Sequence, residues 1–133
     1  MSDVFLDTVG LVALWDEDDQ WHAAADRAFT LITQSRLRMF TTTFVLLECG
    51  NAAARRPWRK YVNKLRLDLA RTGGLIVPTG EDWEQAWSGY TRGSTEQAGI
   101  VDQISFLVMR RLNIPAAFTN DRHFAAAGFH VLF

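Results

Sequence analysis

The sequence predicts an α/β fold with a central, mostly parallel sheet and helices on both faces. Three observations predict it. Short apolar runs alternate with longer runs of helical period along the chain, the pattern of strand–helix–strand units. The length of 133 residues is enough for one core and too little for two domains. No internal repeat, linker or low-complexity segment divides the chain, so residues 1–133 read as a single domain.

Taken in order, DVFLD at 3–7 reads as a short buried strand and about 8–15 as a helix. DEDD at 16–19 reads as a turn and helix start, since acids are favoured near a helix N-terminus. That helix runs through about residue 33. LRMFT at 37–41 is a second strand, and 43–55 a helix. Pro57 suits the first turn of a helix over 57–72, with Gly73 and Gly74 stopping it. LIVP at 75–78 is a third strand. The helix at 81–92 carries Trp83, Ala86, Trp87 and Tyr90 on one face, a stripe that reads as core or interface. After a loop rich in Gly, Ser and Thr, DQISFLVMRRL at 102–112 is a helix. PAAFT at 115–119 is a fourth strand, DRHFAAA a short helix, and HVLF at 130–133 a last strand. In such a sheet the strand C-termini and the following helix N-termini share one edge, where ligands bind near a topological switch point.

The bulk composition excludes several classes of function. With 48% hydrophobic and 22% charged residues the chain is that of an ordinary globular protein. No apolar run approaches the roughly 20 residues of a membrane span. The acidic start, MSDVFLD, lacks the basic stretch of a secretory signal, which leads to the expectation of a cytoplasmic protein. Cys49 is the only cysteine, which excludes an internal disulfide and a multi-cysteine metal site, and it reads as a small buried core residue. The net charge of −1 gives no general affinity for nucleic acid, but seven of the fourteen basic residues fall between Arg55 and Arg71.

The informative residues are four acids beside or within apolar stretches: Asp7 in VFLDTVG, Glu48 in TTFVLLECG, Asp102 in GIVDQISF and Asp121 in AFTNDRHF. A charge there is costly unless it is paired or bound to a cation. Singly, Asp7, Asp102 and Asp121 can each be a helix N-cap. Glu48 resists that reading. Its helical neighbours Phe44, Val45, Cys49 and Ala52 are apolar, and no basic residue stands at i±3 or i±4. The α/β pattern brings all four to the same sheet edge. Four carboxylates together repel one another, and a divalent ion is the simplest relief.

In order and in context, these segments resemble the PIN-domain ribonucleases, most nearly the toxin subunits of bacterial type II toxin–antitoxin pairs of the virulence-associated-protein C (VapC) type. The resemblance rests on FLDTVGLVAL, TTTFVLLECGN, VDQISFLVMRRLNI and AFTNDRHFAAAGFHVL, and it covers residues 4 to 132. It implies a PIN-like three-layer α/β/α fold with a central parallel sheet of four to five strands. It also implies an Mg²⁺ or Mn²⁺ site and hydrolysis of single-stranded RNA. Asp7, Glu48, Asp102 and Asp121 match the acidic site, with Asp7, Asp102 and Asp121 as metal-facing acids. Thr8, Thr119 and Ser105 match supporting hydroxyl positions, and Glu96 stands as an extra acid. Two stretches depart from the family's pattern: Val9 and Gly10 after Asp7-Thr8, and STEQAGIV before Asp102. The resemblance further implies a cognate antitoxin protein and a homodimer.

RNA or partner contacts are expected from Arg55, Arg56, Arg59, Lys60 and Arg122. Trp58 and Tyr61 interleave with the first four, which suits base stacking; a solvated basic helix with its aromatics turned inward is an equal reading. His123 reads as a surface residue and not as a general base. The rival enzymes lack their motifs. Val9 stands where a haloacid-dehalogenase-type phosphatase needs a second Asp, and DTVGLVALW is not a dinucleotide-binding glycine motif. The alternative from another class is a PIN-like module that binds RNA or protein without cutting.

Overall fold

The computed structural model describes residues 3–93 and 97–133. Its elements run β1 (Asp3–Leu6), α1 (Thr8–Trp15), α2 (His22–Gln34), β2 (Arg38–Thr42), α3 (Thr43–Ala53), α4 (Arg59–Thr72), β3 (Leu75–Ile76), α5 (Gly80–Arg92), α6 (Ile100–Leu112), β4 (Ala116–Phe118), α7 (Arg122–Ala126) and β5 (His130–Val131). The five strands pair in the order β3-β2-β1-β4-β5, all parallel. Right-handed crossovers then put α1–α4 on one face and α5–α7 on the other. The α/β reading with its parallel sheet is borne out, at the upper strand count. No described helix is long and apolar enough to cross a membrane.

β1 and β4 are buried on both faces, so they consist of nearly unbroken apolar residues. Phe5, Leu6, Ala117 and Phe118 have no exposed surface and form the middle of the core, with Phe106 and Phe124 covering one side. α1 packs so close to β4 that a Cβ on Gly10 would lie 2.0 Å from the Phe118 carbonyl oxygen. Glycine after Asp7-Thr8-Val9 is therefore what lets the first helix sit down on the sheet, and it fixes where Asp7 stands.

Several boundaries differ from the sequence reading. Residues 16–19 do not open a helix. The carboxylates of Asp16 and Asp19 accept the backbone N–H groups of Asp18 and Trp21, a local pairing that competes with helical bonds, and α2 begins only at His22. α4 begins at Arg59 and α6 at Ile100, so Asp102 lies inside the first turn of its helix. The stripe on α5 is not core. Ala86 is buried, but Trp83, Trp87 and Tyr90 are 47%, 39% and 50% exposed. They form a ladder of edge contacts that starts at Phe44 on α3, with ring centroids 6.1, 5.8 and 5.4 Å apart.

Candidate active site

The order in which strands are added reverses between β1 and β4, the switch point beside which open parallel sheets bind ligands. Asp7 directly follows β1, and Asp121 follows β4 by three residues. One hydroxyl ties the two loops together. Thr119 Oγ1 donates to Asp7 Oδ2 at 2.8 Å and accepts the Asp121 N–H at 3.1 Å. On the other side of β1, Thr8 Oγ1 donates to Glu48 Oε1 at 2.6 Å. Both threonines therefore orient acids. Ser105 is buried with its hydroxyl bonded to the Val101 carbonyl at 3.0 Å, inside its own helix.

The capping explanation separates the acids. Asp7 occupies the N-cap of α1 yet its side chain makes no cap bond. The N-cap of α6 is Gly99, so Asp102 is not a cap either. Asp121 does cap α7, its Oδ1 accepting the His123 N–H at 2.9 Å. Glu48 corrects the sequence reading in a different way. It is exposed; although Val45 and Cys49 are buried, the carboxylate reaches solvent, and its partner is Thr8 from another helix.

The electrostatics show that the acids share one space. Burial raises the Asp7 carboxyl to about 7, with the charges of Asp102 and Asp121 adding to it and the Thr119 bond opposing. Burial raises Asp102 to about 6, and the charges of Asp121 and Glu48 push the same way. Asp7 thus feels Asp102 and Asp121, and Asp102 feels Asp121 and Glu48, so Asp102 links all four acids. Beneath them the Cys49 thiol is pushed up to about 12, by burial first and then by Asp7 and Glu48, which makes it an inert core residue as expected. A ring nitrogen of His123 and carboxylate oxygens of Asp102 and Asp121 lie within 4.8 Å of one another. The acidic edge fits a divalent cation, because Asp7 and Asp102 ionise only against resistance that positive charge would remove.

The basic residues fit less simply. Arg55, Arg56, Arg59, Lys60 and Arg122 are all exposed. Arg56 and Lys60 line a cleft of about 320 Å³, but Asp16, Glu17 and Asp18 line it too, so it is no plain anion site. Trp58 is buried against Trp15, with rings 6.1 Å apart, and is lost to base stacking. Tyr61 stays exposed with the Lys60 ammonium 5.5 Å from its ring centre. Glu96 lies outside the described residues. His123, read from the sequence as a surface residue, has a partly buried ring that places Nδ1 2.7 Å from Asp121 Oδ1; its position two residues after a capping Asp was the available signal.

A parallel sheet carrying clustered carboxylates at its switch point is the arrangement of an α/β nuclease domain. The chain belongs to the PIN-domain family, whose profile matches residues 4–130. It is 30% identical over 131 residues to the 23S rRNA-specific endonuclease VapC20 of Mycobacterium tuberculosis, covering 95% of each chain. The structure is similar to the crystal structure of Mycobacterium tuberculosis VapC20, described as a Sarcin-Ricin loop cleaving toxin, with a TM-score of 0.75 and 29% identity over 96% of both chains. The fold also resembles FitAcB from Neisseria gonorrhoeae, at a TM-score of 0.59 and 17% identity over 98% of this chain and 96% of that one. It likewise resembles DNA-bound VapBC from Salmonella typhimurium, at 0.62 and 17% over 98% and 97%. The expected PIN-type fold and nuclease family are borne out.

Proposed function

We propose that this chain is an endoribonuclease that cleaves single-stranded RNA with Mg²⁺ or Mn²⁺ and acts in the cytoplasm as the toxin of a toxin–antitoxin pair. The observation that carries the reading is the gathering of Asp7, Glu48, Asp102 and Asp121 at the β1/β4 switch point, with Asp7 and Asp102 held against ionisation. Similarity to a 23S rRNA-specific endonuclease supports RNA as the substrate class. Asp7, Asp102 and Asp121 would hold the ion. A divalent ion bound there would polarise the scissile phosphate and lower the pKa of an attacking water. Thr119 fixes the spacing of Asp7 and Asp121 by bonding to both. Glu48, the most exposed of the four, is aimed by Thr8 and completes the site.

The decisive measurement is cleavage of single-stranded RNA by the purified chain with Mg²⁺, with Mn²⁺ and in excess chelator. Cleavage in either metal that stops in chelator is the expected result. Equal cleavage in chelator overturns the mechanism, and no cleavage under any condition favours the non-catalytic module. The similarity to a toxin supports a small cognate antitoxin that covers the acidic edge, with an Arg reaching the carboxylates. Growth arrest on expression of the chain alone is the expected sign; an active nuclease without arrest removes the toxin label only. Two copies are proposed to pair, which the exposed Phe44–Trp83–Trp87–Tyr90 ladder supports, since an exposed apolar patch of this kind marks an interaction surface. Light scattering should give twice the mass of one chain, reverting to one in Trp83→Glu/Trp87→Glu.

A further inference from the structure

The four acids of the proposed site offer only oxygen to a cation, and the residue beside them that offers nitrogen is His123. Its ring lies 2.7 Å, through Nδ1, from Asp121 Oδ1 and is partly buried. One ring nitrogen, one Asp102 oxygen and one Asp121 oxygen fall within 4.8 Å of one another. A six-coordinate ion with bonds of about 2.1 Å holds neighbouring donors about 3 Å apart and opposite donors about 4.2 Å apart. The three atoms therefore converge on one ion after small side-chain adjustments. The backbone supports the arrangement, because Asp121 caps the same short turn that carries His123 and its Oδ1 accepts the His123 main-chain N–H at 2.9 Å. That carboxylate oxygen is already held by the main chain, so holding it does not require the imidazole. Asp102 comes from a different helix, and its carboxyl feels His123 as a favourable neighbour.

We propose that His123 is a nitrogen ligand of the ion held by Asp102 and Asp121, and that it tilts the site from Mg²⁺ toward first-row transition ions. The proposal rests on reading the acidic edge as a metal site and goes further by naming its selectivity. Mg²⁺ is a hard ion that takes oxygen donors in near-ideal octahedra. Imidazole is a common ligand of transition ions. A nitrogen in the donor set therefore gains little for Mg²⁺ and more for Mn²⁺ and the ions after it in the series. Asp7 and Glu48 remain oxygen donors, so both classes of ion can still bind.

The test uses the full chain stripped of metal, with MnCl₂ and MgCl₂ titrated separately by calorimetry and the Mn²⁺ protein examined by pulsed electron paramagnetic resonance. His123→Asn keeps an amide donor for Asp121 but removes the imidazole, and Asp102→Asn serves as the control for the site itself. Wild type should show modulation from a directly bound nitrogen, lost in His123→Asn. The same variant should bind Mn²⁺ about tenfold more weakly and Mg²⁺ almost unchanged. If His123→Asn fails to fold, as circular dichroism would show, the nitrogen signal of the wild type still decides. Binding that depends on Asp102 but shows no nitrogen signal and an unaltered Mn²⁺ to Mg²⁺ ratio overturns the ligand role alone. No binding of either ion to wild type at millimolar concentration overturns the metal-site reading and this inference with it.

Discussion

Asp7 and Asp82 are the two acids buried among the described residues, at 2% and 5% exposure, and their surroundings are opposite. Asp82 sits in the first turn of α5. It accepts the Thr79 N–H at 2.9 Å, completes a capping box with the Thr79 hydroxyl, and pairs with Arg111 near the end of α6. Burial works against its ionisation, but the Thr79 and Arg111 bonds outweigh it and hold the carboxyl below the ordinary range. Asp7 accepts one side-chain bond, from Thr119, and faces the charges of Asp102 and Asp121, so burial carries its carboxyl up to about 7. Exposed surface is nearly equal in the two cases, but Asp7 lies deeper and burial is the largest cause of its shift. The like charges around it push the same way, while the partners of Asp82 push the other. A carboxylate closed by its own cation locks two helices together. One surrounded by other acids weakens the empty fold and gains from a bound cation.

The comparison can be broken first at the acidic edge. Asp7→Asn and Asp102→Asn should each lower RNA cleavage by about a thousandfold, the loss expected when about 4 kcal/mol of transition-state stabilisation disappears. Steady-state kinetics on folded variants measure this; wild-type rates in both would remove Asp7 and Asp102 from the site.

The pH dependence of stability follows from the same contrast. Between the ordinary Asp value of 3.8 and about 7, the native metal-free protein holds a proton on Asp7 that the unfolded chain has released. The native state binds more protons in that window, so stability falls as pH rises through it. Denaturant melts in chelator should show wild type losing on the order of 2–4 kcal/mol from pH 4 to pH 8. Asp7→Asn should lose less, keeping only the part of the fall that the raised Asp102 carboxyl contributes, and be the more stable protein at pH 8. A flat wild-type profile would mean that Asp7 is not held protonated.

Packing at the same place is tested by Gly10→Ala. The added Cβ meets a backbone carbonyl and not the end of a flexible side chain, so α1 must lift. A loss of about 3 kcal/mol is expected, with a fall in nuclease activity because Asp7 moves with the helix. The smallest effect belongs to the closed carboxylate. Asp82→Ala removes a cap and the partner of a partly exposed Arg111, and should cost about 2 kcal/mol while leaving the kinetics of the folded enzyme unchanged. A large catalytic defect there would erase the distinction between the two buried acids.

The order of strands and helices was legible because it is written in local periodicity, and the acids stood out because a charge within an apolar run is conspicuous. Their environments were not legible. Glu48 looked enclosed because its helical neighbours are apolar, but exposure is set by what packs against a helix, and here its carboxylate is open and bonded to Thr8. The Trp83, Trp87 and Tyr90 stripe had a helical period, which says that residues share a face and nothing about what covers that face. Trp58 turned inward while Tyr61, three positions on, stayed out. The pairing of Asp82 with Arg111 spans 29 residues, and no local pattern announced it.

By itself, then, the sequence determined the element order and the parallel sheet, and it singled out four carboxylates as conspicuous, since these follow from period, length and the cost of a charge beside apolar neighbours. Only the tertiary structure decided which carboxylates are left without a counter-charge, that one threonine joins Asp7 to Asp121, and that His123 stands among the acids. Those properties are set by side chains arriving from distant segments, and the distances between them do not exist until β1 and β4 pair.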